Sequence, residues 1–249
     1  MNSLLARFQA ISDNDKSALV RKLMENGTPN FDFFYLTGLS VIMATLGLLL
    51  DSASIIIGSM LIAPLMYPIL GVALGLVMSN GKILKRSFST LLKALGIGLI
   101  LSCAAAFFFG QEGMYHSFEI LNRTEPTYLH LLVAVAAGAA VAFALAQPEW
   151  SEAIPGIAIS VALIPPLATI GIGIAALDFA IIKGSSVILL LNLLGIIGSA
   201  AASFMMMNLY QKQHVAQGAM EKADKKMEQE TKAVETMVEK QEERASSNT

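Results

Sequence analysis

The sequence predicts an all-α integral membrane protein. About six transmembrane helices form two inverted three-helix repeats with proline-broken second helices, flanked by cytoplasmic terminal helices. Three observations carry this reading. Of 249 residues, 55% are hydrophobic and only 14% charged, with mean hydropathy +0.62, whereas a soluble domain carries about a quarter charged residues. Two apolar segments broken by proline resemble each other, Ile57 to Leu65 and Ile159 to Leu167. Setting Pro64 against Pro166 also pairs Ile57 with Ile159, Leu61 with Leu163 and Leu65 with Leu167. Finally, three apolar spans precede the polar loop 110–126 and three follow it. An odd number of spans per half means that halves sharing one fold insert in opposite orientations.

The elements follow in order. Residues 1–30 read as a cytoplasmic amphipathic segment, with Ser12 as helix cap, Asp15 three residues on, and Gly27 with Pro29 as the stop. No apolar stretch of signal-peptide type lies there, so the first span is expected to act as the insertion signal. Repeat one, residues 31–109, holds spans at Phe33–Leu50, Ser52–Ser79 and Thr90–Phe109. The second of these would run ~42 Å as an ideal helix against a ~30 Å hydrocarbon core. Pro64 and Pro68 therefore predict a break, because each lacks an N–H and crowds the preceding turn. Residues 110–126 form an extracytoplasmic loop. Repeat two, residues 127–209, holds spans at Thr127–Ala146, Ala153–Leu177 (broken near Pro165 and Pro166) and Ser185–Leu209. Residues 210–249 are charged and helix-prone, with a frayed end. Met220, Met227 and Val234 recur every seven residues beside Ala223 and Met237, a thin seam for self-association.

Lys and Arg set the orientation. Arg7, Lys16, Arg21 and Lys22, then Lys82, Lys85 and Arg86, then Lys212 all fall on one side if the spans alternate. That side is expected to be the cytoplasm, with both termini in it. Asp51, the 110–126 loop and the Asp178–Lys183 turn lie opposite. The single cysteine, Cys103, cannot form a disulfide within the chain and reads as a packing residue.

Prolines inside a membrane free backbone carbonyls, which must face protein or water. Paired breaks in two halves point to a solute site at mid-membrane. The pathway candidates are Ser59, Pro64, Pro68, Ser160, Pro165, Pro166 and Asn192: the prolines shape the site and the polar side chains contact the solute. The competing reading of each is a packed kink or an interhelical hydrogen bond. Asp51 and Glu152 stand at corresponding corners, as cation sites or as caps on the next helix. Gly71 with Gly75, and Ala134 with Gly138 and Ala142, read as close-packing positions.

Enzyme signatures are missing from the sequence. His116, His130 and His214 lack ligand spacing, and neither a phosphate loop nor a nucleophile elbow occurs. No metal, cofactor or nucleic-acid partner is expected; the expected partners are the lipid bilayer, a small polar solute or ion, and further copies of the chain.

The run Leu46-Gly47-Leu48-Leu49-Leu50-Asp51-Ser52-Ala53, continuing from Ile55 through Pro64-Leu65-Met66-Tyr67-Pro68-Ile69, resembles one hallmark of a hydrophobic membrane family. That family is catalogued as domain of unknown function number 389. The stretch Ile154 to Leu167, with the later Leu191-Asn192-Leu193, is similar to its other hallmark. The resemblance covers roughly residues 30–207 and implies a prokaryotic inner-membrane protein. Two functions remain open: a transporter or channel, and a non-transporting scaffold or sensor acting through the C-terminal helix.

Overall fold

The computed structural model describes residues 11–146 and 153–247, and every regular element among them is helical. The helices are α1 (Asp13–Asn26), α2 (Phe31–Leu49), α3 (Ala53–Met60), α4 (Met66–Val77), α5 (Gly81–Phe109), α6 (Phe118–Leu121), α7 (Tyr128–Leu145), α8 (Ala153–Ala175), α9 (Phe179–Met206) and α10 (Gln213–Ser247). Short 3-10 turns cover Glu112–Met114 and Leu209–Lys212.

Caps fix where the helices begin. The Ser12 hydroxyl accepts from the Asp15 amide at 3.2 Å, and Asn30 opens α2 by accepting from Phe33 N at 2.9 Å. Such caps satisfy amides that have no partner inside the helix. Helix α5 starts at Gly81, nine residues before the expected span, behind Asn80, whose side chain accepts from Lys82 N and Ile83 N. Its first turns carry the charges and its later turns the apolar run, so hydropathy alone finds only the second part.

Three helix-to-helix corners share one construction. Asp51 (φ 53°), Ser79 (φ 48°) and Leu177 (φ 53°) sit in the left-handed region. The next amide reaches back five residues, Ser52 N to Gly47 O at 2.9 Å, Asn80 N to Gly75 O at 3.0 Å and Asp178 N to Gly173 O at 2.9 Å. This closes the helix end in a Schellman motif. The same residue is the N-cap of the following helix. Glycine stands at the start of each corner because the returning helix crosses it closely. A Cβ on Gly75 would fall 2.8 Å from the Leu84 backbone, and one on Gly47 or Gly173 would fall 3.0 Å from the Ile56 or Ile182 amide.

The corner at Gly173 lies 98 positions after that at Gly75 (173 − 75). In this register Ile83 meets Ile181, Lys85 meets Lys183, Ser87 meets Ser185 and Pro68 meets Pro166. The burial pattern repeats with it: Ile83, Ser87, Ile181 and Ser185 are buried while Lys85 and Lys183 are exposed. The register differs by one helical turn from the one that pairs Pro64 with Pro166.

Packing is reciprocal between the two halves. Within the first, α5 lies on α2 and α4; within the second, α9 lies on α7 and α8. Across them, α5 lies on α8 and α9 lies on α4. Close approach uses small residues where expected. A Cβ on Gly138 of α7 would sit 2.6 Å from the Ile196 carbonyl of α9, and one on Gly195 would sit 2.7 Å from Ala134.

Among the described residues, four helices, α2, α5, α7 and α9, are long and apolar enough to cross a membrane. Only 33% of the apolar window of α5 and of α7 is buried, so most of that surface faces outward. Phe107, Leu132, Val133, Leu190 and Leu194 are among the exposed apolar side chains. An outer surface this apolar needs lipid as its solvent. The fold is that of an all-helical, membrane-type protein.

The first proline-bearing segment is broken as expected, between Met60 and Met66. The second is not. Helix α8 runs from Ala153 to Ala175 with Pro165 and Pro166 inside it. The C-terminal seam also divides: Met220 and Ala223 are buried, α10 packing on α1, while Val234 and Met237 are exposed.

Two stability outcomes follow from the corners and the packing. Leu177→Gly should raise the unfolding free energy by about 1 kcal/mol, by removing the left-handed penalty on a side chain. Gly138→Val should lower it by roughly 1–3 kcal/mol through overpacking against α9. Thermal or denaturant unfolding in detergent reads both.

Candidate polar centre

The centre is built where the broken segment meets α8. Between α3 and α4 the chain leaves the helix over 61–65, and Pro64 offers no amide to the preceding turn. Pro68 falls in the first turn of α4, where an amide has no helical partner in any case. The carbonyls left by the break are taken up by hydroxyls. Ser40 of α2 donates to Ser59 O at 2.7 Å, and Ile62 N reaches the same oxygen at 3.2 Å. The Ser59 hydroxyl donates to Ile56 O at 2.6 Å. Ser160 of α8 donates across to Ala63 O at 2.9 Å.

Helix α8 stays intact for a related reason. Pro166 removes the amide that would reach Ala162 O, four residues earlier. Asn192 of α9 supplies the missing donor, its Nδ2 lying 2.6 Å from Ala162 O. Thr169 donates to Pro165 O at 2.9 Å. In the 98-position register, Asn192 corresponds to Ala94 of α5. The first half therefore has no amide side chain at that place, and its helix opens instead.

Five of the seven pathway residues are thus drawn into one cluster along residues 160–166 of α8: Pro64, Ser160, Pro165, Pro166 and Asn192. Ser59 and Pro68 flank it on α3 and α4. Ser59, Ser160 and Asn192 are all buried, and each holds a backbone carbonyl in this structure. Pro64 is half-buried; Pro68, Pro165 and Pro166 are buried. A second hydroxyl chain lies beside them, unnoticed in the sequence as a set. Thr45 of α2 meets Ser102 of α5 at 2.9 Å, and Ser102 donates to Ala168 O of α8 at 2.8 Å. Gly171 makes room for it, since a Cβ there would strike Ser102. Every buried side-chain nitrogen and oxygen in the described part has a partner.

The corner acids take different places. Asp51 Oδ1 accepts from Glu119 N of the 110–126 connector at 2.8 Å. It thus caps α6 across space rather than the helix that follows it. Glu152 lies outside the described residues. The structure adds Asp178, which caps α9 through Ala180 N (2.9 Å) and Ile181 N (3.2 Å) and faces His116 at 3.3 Å. The Ile181 amide is the main influence holding the Asp178 carboxyl below its ordinary value of 3.8; partial burial opposes it, while Ala180 N and His116 reinforce it.

The fold and this centre define a class: an all-helical, membrane-type protein in which buried hydroxyl and amide side chains hold backbone carbonyls at its proline-bearing segments. The chain belongs to the family described as Domain of unknown function (DUF389), whose model matches residues 60–198, more than half its length. An uncharacterised protein of Methanocaldococcus jannaschii is 30% identical over 166 residues, 67% of this chain and 51% of that protein. The chain therefore spans about half the length of the curated relative it matches. No solved structure matches it.

Two measurements check the centre. Asn192→Leu should cost about 1–3 kcal/mol, because Ala162 O loses its donor in apolar surroundings, and amide exchange should rise in α8 near Pro166. For Asp178, a lowered folded value means its stabilisation is complete above 3.8 and is lost as pH falls through the depressed value. An acid titration of unfolding should show that loss, and Asp178→Asn, which keeps a capping oxygen, should flatten it.

Proposed function

We propose that the protein is a transporter or channel for a small polar solute or ion, with its site at the proline-bearing second segments of two inverted repeats. The contact of Ser160 Oγ with Ala63 O carries this reading, because it joins the break of one half to the matching segment of the other. The reciprocal packing of α5 on α8 and α9 on α4 supports two related halves, as does the repeated corner. In this reading α3 with α4, and α8, complete six crossings of a prokaryotic inner membrane. The chain works as a homo-oligomer with both termini in the cytoplasm. Helix α1, the turn at 78–80 and the start of α10 meet at one end, where Gln213 donates to Met78 O at 2.6 Å and Lys212 pairs with Asp13 at 3.3 Å. No enzymatic activity is assigned.

The chemistry favours a solute that brings hydrogen-bond donors or positive charge. Ala63 O and Ala162 O are acceptors, each held by one side-chain donor. A solute with N–H groups, or a partly dehydrated cation, can displace that donor and take the carbonyl. Displacement is favourable only where the solute or its water also offers an acceptor to the released Ser160 hydroxyl or Asn192 amide, since a buried donor left unpaired is costly. Pro166 denies Ala162 O its helical amide, so that acceptor cannot heal into ordinary helix.

A second reading, a sensor acting through α10, draws on one observation. Arg86 of α5 ties that helix to the bundle: it donates to Thr28 Oγ1 at 2.8 Å and Met220 O at 3.4 Å and pairs with Asp224 at 2.5 Å.

Flux or current in proteoliposomes, over a panel of cations and amine-bearing metabolites, separates the readings. Transport predicts a wild-type signal changed at least several-fold in Asn192→Leu and Pro64→Ala, with α10 removal tolerated. Silence from folded wild type across the panel, with function in cells lost on Arg86→Ala, would favour the sensor.

A further inference from the structure

The connector 110–126 does more than join the halves. It is pinned to the outer corner of each. On the first half, Ser117 Oγ donates to Leu48 O at 2.8 Å, and Glu119 N donates to Asp51 at 2.8 Å. Tyr115 reaches Ala106 O at 3.3 Å, and Ile120 is fully buried. On the second half, Ser185 Oγ donates to Arg123 O at 2.8 Å, and a Cβ on Gly184 would collide with Thr124 O. His116 faces Asp178 at 3.3 Å. The residue in the left-handed position of one corner and the capping residue of the other are thus both engaged by the same 17-residue strand of chain.

We propose that the 110–126 connector is a clasp that holds the outer ends of the two halves together, with His116–Asp178 as its releasable contact. The anchored contacts are backbone or part-buried; His116–Asp178 is between side chains, with His116 60% exposed. The other charged groups on the elements around it are accounted for. Glu119 and Arg123 pair with each other, Asp51 holds the Glu119 amide, Glu112 and Glu125 lie on the connector, and Lys183 lies on α9. Separation of the outer ends requires the clasp to leave at least one corner, and the second-half side offers the weakest hold. The clasp deepens the transport reading by naming its outer closure, yet it is a statement about distance and can be tested without flux.

The test is a spin-label distance between the two outer corners, Leu50→Cys and Leu177→Cys, in full-length Cys103→Ala protein in lipid. Both label sites are exposed, at 60% and 90%. With the clasp intact a single narrow distance should dominate. Either His116→Ala or Asp178→Asn should shift the ratio of long to short distances by about fivefold, the scale of an exposed ion pair. The Asp178→Asn variant keeps a capping oxygen for α9, so a shift there is not a folding defect. Ser117→Ala with Asp51→Ala should free the other side and give the larger shift. Unchanged distances in all variants would overturn the clasp, even in a protein that transports. Released distances without flux would leave the clasp standing and count against transport.

Discussion

The constraint on which the structure depends is the backbone carbonyl deprived of its amide in apolar surroundings. Leaving such a group unpaired costs about 1–3 kcal/mol, a sizeable part of a net stability of roughly 5–15 kcal/mol. Pro166 creates such a group directly at Ala162 O and the break around Pro64 loosens Ser59 O and Ala63 O from regular helix, and the placement of Ser40, Ser160 and Asn192 answers them. Each answer comes from a neighbouring helix, not from the segment itself. The helices therefore cannot slide or rotate independently near the centre. Packing, register and polar chemistry are one problem there, solved by a few side chains on α2, α8 and α9.

The two halves solve it differently. In the corner register, Pro68 and Pro166 correspond, yet one lies just past a break and the other inside an unbroken helix. What differs is the donor. Asn192 reaches the carbonyl that Pro166 frees, whereas the first half has Ala94 at that place and a further proline, Pro64, one turn earlier. Without an amide to complete the turn, the chain opens and lets hydroxyls from α2 and α8 approach the carbonyls singly. Two proline-bearing apolar segments thus give a broken helix and a continuous one.

Helix identity and order were legible in the sequence, because apolar run length and Pro, Gly and Asn punctuation are local signals. The break at Pro64, the caps at Ser12 and the close-packing roles of Gly138 and Ala134 follow from such signals. The continuity of α8 does not, because its cause sits about 30 residues away in Asn192. The extended start of α5 was hidden by its charges, which hydropathy reads as loop. The offset that pairs Pro64 with Pro166 lies one turn from the one at which the corners coincide, because Leu and Ile matches are abundant in apolar spans; the Gly, left-handed residue and cap of the corners are the more discriminating pattern. An interhelical hydrogen bond was one reading open in the sequence, but which carbonyl Ser59, Ser160 and Asn192 each hold is invisible until their neighbours are placed. The connector read as a polar loop, and its ties to Leu48, Asp51, Asp178 and Ser185 belong to tertiary structure alone.

The corners also say how this chain can change length. Ser52, Asn80 and Asp178 each stop one helix and start the next. One inserted residue there would separate the two duties, and it would carry the returning helix off the glycine it crosses. A deletion would rotate every later side chain on that helix by about 100°, one residue's share of a turn. At these three places spacing matters as much as residue identity. The separation between the helices they join is effectively fixed, so divergence in this part of the fold has to proceed by substitution rather than by insertion or loss.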